Sequence, residues 1–385
     1  MHSIPWDTRS LRLSFAASLR SSGERGGPAV AWRQNVPIDF SSTNEYMSTH
    51  YHQLGYDTAD RRYLNIFSTT GAASTKNDIQ MAQDVFNARE GYFVTNQDNI
   101  LEVVKPTLDI SGFELTNIAL DESAEIEWTN IQQVEFYYLP KLRETIINSL
   151  SSDSSGEIIH LEFYQPMVRG EDVDMAQRTS PVARLVHIDT DFGAHDVEGI
   201  ISLVEQNSIG CVNKRRHKSF PREKINASIR EGNRFAIINA WKGIQPSHAK
   251  IGRAHLGLLS SRYEDDNKDI PQRHRCFPTL QPNPKESRWY AYPGMSSDEV
   301  LLFKQYDRIV DLPSDIWHCS LPETDAEKKP EYNFPRRSFD VRALVVFDKV
   351  VPPELDRYCS DRPRPVLSLE ESGCFCDEQA EKRKL

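Results

Sequence analysis

Six cysteines are scattered over 385 residues. That is too few and too dispersed for a disulfide framework, and it points to a reducing, cytoplasmic compartment. No apolar run approaches the ~18–20 residues needed to span a bilayer, so no membrane partner is expected. Positive charge is in deficit: 46 Lys and Arg stand against 56 Asp and Glu, a formal net charge of -10. This disfavours wholesale binding to nucleic acid or an anionic surface. Internal repeats, a glycine-rich phosphate loop and a Gly-x-Ser-x-Gly elbow are also missing. What is present is a 38% apolar fraction with 10% aromatics, enough for a substantial core, and a mean hydropathy of -0.57 that leaves room for polar loops and tails.

Residues 1–35 read as a disordered lead, with a faint transit-peptide character from Arg9, Arg12, Arg20 and Arg25. Residues 359–385 read as a charged, disordered tail. Between them a single domain is expected over 36–358, with an N-terminal accessory part (36–156) and a core (157–358). Tyr63–Phe67 alternates like a strand, Ile79–Ala88 fits helix or strand, and Ser111–Leu115 reads as a turn feeding a strand. From Asn130 the pattern is helical: Pro140 suits a first turn, and Leu142, Ile146, Ile147 and Leu150 form one stripe. A second helix is expected after Asp196, with Val197, Ile200, Ile201 and Val204 on one face. Strands are expected at Glu157–Tyr164, Arg234–Trp241, Arg288–Tyr292, Val300–Tyr306 and Phe339–Phe347, with Arg169–Ser180 a polar connector. Many short strands and few helices favour a mainly β fold with flanking helices, either a sandwich or a barrel. In a jelly roll, residues distant in sequence can meet at the mouth.

The chemistry centres on Arg184-Leu-Val-His-Ile-Asp-Thr190 and a distant Trp317-His-Cys-Ser320. In an extended strand His187 and Asp189 share one face, while Val186 and Ile188 turn to the core. Joined by His318, they make a 2-His-1-carboxylate facial triad, which leaves positions on Fe(II) open for a co-substrate and O2. A third element is Pro335-Arg-Arg-Ser-Phe-Asp-Val-Arg342. There Phe339, Val341, Ala343, Val345 and Phe347 form an apolar face, so Arg336, Ser338 and Arg342 point the other way, inward. Parity selects Arg336 over Arg337. An inward guanidinium two residues from an inward hydroxyl suits a fixed carboxylate, and a ligand with one carboxylate there and a keto acid on iron is 2-oxoglutarate. Trp241, Tyr290, Trp317 and Arg234 are candidates to line or brace a pocket for a hydrophobic small molecule.

From about Thr107 to Lys349 the sequence resembles the fungal AsaB-type hydroxylase/desaturase family, which includes gibberellin desaturase-like and CmcJ/NvfI-type oxidoreductases. The pieces are Ser111–Leu115, Tyr137–Pro140, Pro181–Asp189, Arg234–Trp241, Met295–Asp307, His318–Ser320 and Arg336–Ala343. The resemblance implies a double-stranded β-helix, or jelly roll, with iron on His187, Asp189 and His318 and 2-oxoglutarate on Arg336 and Ser338. It also implies hydroxylation or desaturation of a small secondary metabolite through a ferryl-oxo species. The chain departs from the family at Lys242-Gly243, where Arg-Pro is usual, between Ile251 and Ser261, and at Arg337. These departures bear on substrate choice and cavity shape, not on the iron ligands.

Other accounts stand on residues alone. His50 and His52 have the spacing of a zinc pair, which would make a hydrolase. Cys374 and Cys376 could bind metal or be plain tail thiols. Lys214–Lys218 is a basic run, read as a solvated loop. A catalytically inactive jelly-roll binding protein would keep the fold and lose the chemistry.

Overall fold

The computed structural model describes residues between Asp60 and Arg357. Left out within that span are 68–77, 96–100, 119, 121–124, 151–155, 172–178, 185, 190–196, 210–219, 247–248, 260–271, 274–277, 280–287 and 324–334. The expectations for 1–35, His50, His52, Asp196, Lys214–Lys218, Cys374 and Cys376 lie outside the described residues. In chain order the strands begin with β1 (Asp60–Phe67), β2 (Asp78–Asn87), β3 (Tyr92–Thr95), β4 (Leu101–Val104) and β5 (Phe113–Asn117). They continue with β6 (Ile158–Gly170), β7 (Thr179–Pro181), β8 (Asn233–Gly243), β9 (Leu256–Leu259) and the short pair β10 (Gln272–Arg273) and β11 (Pro278–Thr279). Last come β12 (Trp289–Ala291), β13 (Glu299–Asp307), β14 (His318–Ser320) and β15 (Arg337–Val350). The fold is mainly β, with few helices, and among the described residues no helix is long and apolar enough to cross a membrane.

The chain divides into two compact units. The described part of the smaller one, Glu90–Lys105, is the antiparallel hairpin of β3 and β4. The larger holds two main sheets, ordered β1-β2-β12-β9-β14 and β5-β13-β8-β15-β6-β7. Strands from both sides of residue 156 share both sheets. All pairings in them are antiparallel except β2 with β12 and β6 with β7.

The six-stranded sheet owes its order to its centre. All eleven residues of β8 are buried, and the Phe-Ala-Ile-Ile run at its middle suits a strand covered on both faces. On one face Phe339, Val341, Ala343, Val345 and Phe347 of β15 join Ala236, Ile238 and Ala240 of β8 and Leu302 of β13. The helix Leu139–Leu150 covers them with Leu142, Ile146 and Leu150, the expected stripe. Its entry differs from expectation. Asn130 caps a helical turn at Ile131–Gln133, accepting at Oδ1 from the Gln132 and Gln133 amides at 3.1 and 3.4 Å. A π turn, Val134–Tyr138, then leads into Pro140, so the proline sits inside a continuous helical run. The wider i→i+5 turn accommodates a residue that lacks an N–H and would clash in a regular helix.

On the opposite face Leu344 and Val346 of β15 and Phe235 and Ile237 of β8 pack beneath the helices Val197–Asn207 and Arg222–Arg230. Ile200, Ile201 and Val204 are buried there as expected. Two other expectations change. Arg169 and Gly170 belong to β6 rather than to a connector. Arg184–Asp189 makes a single bridge, at His187, in place of a full strand.

Candidate metal centre and its pocket

The bridge is what brings the distant motifs together. His187 and His318 exchange backbone hydrogen bonds, His187 N–H to His318 O at 3.0 Å and His318 N–H to His187 O at 2.9 Å. Alternation does the rest. Val186 and Ile188 are buried with Trp289, Leu259, Trp317, Cys319 and Leu321, so His187, Asp189 and His318 turn to the other side, into a shared pocket. The ligand-capable atoms of the three lie within 4.8 Å of one another. His187 Nε2 is 3.6 Å from Asp189 Oδ1, and His318 Nε2 is 3.5 Å from Asp189 Oδ2.

His318 and Asp189 are held in a metal-ready state. His318 Nδ1 lies 3.2 Å from the Ile316 carbonyl. A carbonyl can only accept, so Nδ1 carries the hydrogen and Nε2 presents its lone pair. Burial, then the neighbouring His187, lower the His318 pKa, with Asp189 opposing; a neutral imidazole is the ligating form. Burial alone would raise the Asp189 pKa, but Arg342 and both imidazoles hold it well below the usual carboxylate range. Arg342 Nη2 lies 2.8 Å from Asp189 Oδ1, and Asn239 Nδ2 donates to Oδ2. The Asp189 amide donates to Gln305 Oε1 at 2.8 Å, and Gln305 Nε2 donates to the same Ile316 carbonyl at 3.0 Å. Two imidazoles and one carboxylate, with no fourth protein ligand grouped with them among the described residues, fit a metal with open positions.

The pocket is open to solvent, about 350 Å³ with its mouth included, and is lined from both sheets. His318 and Leu256 come from one, and Asn239, Trp241, Phe303 and Asp340 from the other. Arg336, just ahead of β15, also lines it and is 2% exposed. Its Nη1 donates to Ala254 O at 2.6 Å and Ser320 Oγ at 2.7 Å, and its Nη2 to Ser338 Oγ at 3.3 Å. The guanidinium lies 4.9 Å from the Trp241 ring centroid. All these partners are neutral. Burial, with Arg169 nearby, pushes Arg336 down to about 10, so it stays a cation at neutral pH. Arg336 Nε and Trp241 Nε1 are buried donors without a hydrogen-bond partner. Asp340 and Glu171 act on it from further off, but among the described residues no carboxylate pairs with it directly, and a buried cation with an idle donor and no direct ion pair fits an anionic ligand.

The expected site residues sort as follows. His187, Asp189 and His318 converge; Arg336 and Ser338 stand together; Arg337 is exposed, as parity required. Arg342, expected on the co-substrate, is instead engaged by Asp189 and Gln165, because its register places it further along β15 than Arg336, opposite Asn239. Of the four expected pocket residues, Trp241 lines this pocket and the other three do not. Trp317 flanks His318 and so turns to the buried cluster behind it. Tyr290 is fully buried, with the Phe113 and Phe86 rings 5.7 and 5.8 Å away. Arg234 is paired with Asp307 and lies over the ring of Phe347, a residue of the face covered by the helix Leu139–Leu150. Asn239, Gln305, Phe303 and Asp340 were missed. Asn239 had a signal: it is a polar residue two positions from Trp241 within an apolar strand.

The departures from the family pattern meet in space. Lys242 points away from the pocket, donating to the Ser297 carbonyl. A Cβ on Gly243 would come within 2.6 Å of Ile251 Cδ1, so glycine there leaves the room that Ile251 fills.

Comparison with known proteins follows the same line. The hydroxylase/desaturase CTB9 of Cercospora beticola is 26% identical over 161 residues, 38% of this chain and 46% of that protein. The alpha-ketoglutarate-dependent dioxygenase phiK of Fungal sp. (strain ATCC 74256) is 32% identical over 127 residues, 30% of this chain and 42% of that protein. The chain thus spans under half the length of these curated relatives, and the resemblance to fungal hydroxylase/desaturases is borne out. In structure, the iron and alpha-ketoglutarate-dependent endoperoxidase NvfI has a similar fold, with a TM-score of 0.51 at 17% identity over 76% of this chain and 99% of that one. The model of the oxidoreductase/YMDC permease-like domain matches residues 68–346, most of the sequence, and the chain belongs to that family.

Proposed function

We propose that this protein is an Fe(II)/2-oxoglutarate-dependent dioxygenase that hydroxylates or desaturates a small, largely apolar secondary metabolite. The observation that carries the reading is the convergence of His187, Asp189 and His318 on one pocket that also holds the unpaired Arg336. The two sheets flanking that pocket are read as a jelly roll. His187, Asp189 and His318 would hold the iron, and Arg336 with Ser338 would anchor the distal carboxylate of 2-oxoglutarate. When bound, iron with 2-oxoglutarate and O2 supplies the oxidising power, the keto acid leaving as succinate and CO2 while a substrate C–H is oxidised.

The protein's own part is binding and orientation. His318 donates through Nδ1 and keeps Nε2 free for the metal. Trp241, Phe303 and Leu256 give the substrate an apolar wall. The Arg169–Asp340 pair, 2.8 Å apart, sets a polar edge on the same pocket. The names of the two fungal relatives favour hydroxylation or desaturation as the outcome. The setting is read as cytoplasmic, with a free small molecule, neither nucleic acid nor membrane, as the partner.

The test is purified protein supplied with Fe(II), ascorbate and O2. It is expected to bind Fe(II) and, with Fe(II) but not with Zn(II), to turn 2-oxoglutarate into succinate slowly without a prime substrate. His187→Ala is expected to abolish both the iron and the succinate. Succinate formation undiminished in a folded His187→Ala protein would falsify the assignment.

A further inference from the structure

Asp189 is gripped from the opposite sheet at three points, and each grip comes from a different strand. Arg342 on β15 takes Oδ1, Asn239 on β8 takes Oδ2, and Gln305 on β13 accepts the backbone amide. Arg342 and Asn239 are direct partners in the β8–β15 register, so their side chains reach the carboxylate side by side. Arg342 is itself aimed. The β6–β15 register slips between Asp340 and Arg342, where β6 carries one residue more than β15. Within that bulge Gln165 adopts φ 52°, a left-handed conformation that is costly for a non-glycine residue. The conformation delivers Gln165 Oε1 to Arg342 Nη1. Bulges beside functional sites often serve to redirect a side chain in this way.

We propose that Gln165, Arg342 and Asn239 form a clamp whose task is to fix the rotation of the Asp189 carboxylate, so that the metal site is formed before the metal arrives. With both oxygens held from behind, the carboxylate cannot turn away from the two imidazoles. The remaining lone pairs face His187 and His318. Arg342 is then a positioning residue for the metal and has no contact with the co-substrate. This rests on the iron reading above.

The experiment uses metal-free full-length protein titrated with Co(II), followed by its visible absorption, and then with 2-oxoglutarate on the Co(II)-loaded form. Arg342→Gln and Asn239→Ala are each expected to weaken Co(II) binding about 10–100-fold, the usual cost of losing a group that holds a ligand. Their Co(II) spectra should shift, while the 2-oxoglutarate affinity of Arg342→Gln, whose side chain does not line the pocket, stays within about twofold. Arg342→Lys, which keeps a cation for Oδ1, should recover part of the loss. If Arg342→Gln does not fold, Gln165→Gly serves, because it relaxes the positive φ while removing the amide. A few-fold weaker Co(II) affinity in a protein no less stable is the expected result. Unchanged Co(II) affinity and spectrum in folded variants overturns the clamp. So does a loss confined to 2-oxoglutarate, which would return Arg342 to the co-substrate. A wild-type protein with no saturable Co(II) binding overturns the iron reading itself and the clamp with it.

Discussion

The buried cations of the six-stranded sheet fall into two groups. At one end of β13, Arg234 and Lys304 share Asp307 at 2.7 and 3.0 Å, all three almost fully buried. Close by in sequence, Arg308 takes Asp356 at 2.8 Å and two backbone carbonyls besides. Arg336 is buried as deeply, yet its partners are a carbonyl and two hydroxyls. A buried ion pair balances much of its own desolvation, whereas a buried cation hydrogen-bonded only to dipoles, with Asp340 and Glu171 acting from further off, recovers less of it. The paired group therefore serves the fold. The arginine without a direct ion pair is expected to lower stability in the free protein, in keeping with the anion site proposed for it.

Removing an anion from the paired group should have the largest effect. Asp307→Ala leaves Arg234 without an anion in a dry site, while Lys304 keeps Asp109 at 3.0 Å, and is expected to cost about 3–5 kcal/mol, read from the denaturant midpoint. Burial would raise the Asp307 pKa, but Lys304 and Arg234 hold it below the ordinary carboxylate value. Its contribution is therefore fully present above the unfolded pKa of about 3.9 and is lost as pH falls through the lower folded value. The gap between wild type and Asp307→Ala should close below about pH 4. A gap that persisted into stronger acid would show that the loss is one of packing, not of charge.

The unpaired group should respond with the opposite sign. Arg336→Met exchanges a costly buried charge for an apolar chain of similar reach. Without ligand the variant is expected to equal the wild type or exceed it by about 1–2 kcal/mol. Adding 2-oxoglutarate with a metal should reverse the order, since ligand stabilises only the protein that binds it. Thermal melts with and without the keto acid provide the check. Destabilisation of ligand-free Arg336→Met by several kcal/mol would place Arg336 with the structural pairs.

The same contrast explains what was legible in the sequence. Period-two alternation separated Arg336 from Arg337 and the apolar face of β15 from its polar one, because a strand's geometry is local. It also carried the candidate metal triad, once a bridge rather than a strand was allowed at His187. Applied consistently, it would have excluded Trp317, which neighbours His318 and must turn the other way. Depth was beyond it. Arg342 has the parity of Arg336, but only the register against β8, where it meets Asn239, shows that it reaches a carboxylate instead of the pocket. Tyr290 lies on the pocket side of its sheet, and only the cross-sheet neighbour Phe113 shows that it is covered. Asn239 and Gln305 escaped notice because their partner, Asp189, belongs to another part of the chain.

Lys242 supplies the smallest effect and the sharpest refinement, since it is buried and unpaired but can shed its charge. It lies on the face away from the pocket, where its ammonium donates to the Ser297 carbonyl, and burial pushes its pKa down to about 8 despite Asp298 and Glu299. A lysine whose folded pKa is depressed costs nothing above its unfolded value near 10.4, where both states are neutral; the penalty appears as pH falls towards the folded value. At pH 7 the folded protein carries that cost, offset in part by the hydrogen bond to Ser297. Lys242→Met should therefore be more stable than wild type by about 1–2 kcal/mol at pH 7, and the gain should fade as pH rises towards 10. Arg336→Met should keep its advantage across the same range, because a guanidinium at about 10 is still charged through most of it. Equal pH dependence in the two variants would mean that Lys242 stays charged in the fold, held by the carboxylates beside it, and belongs with the paired group.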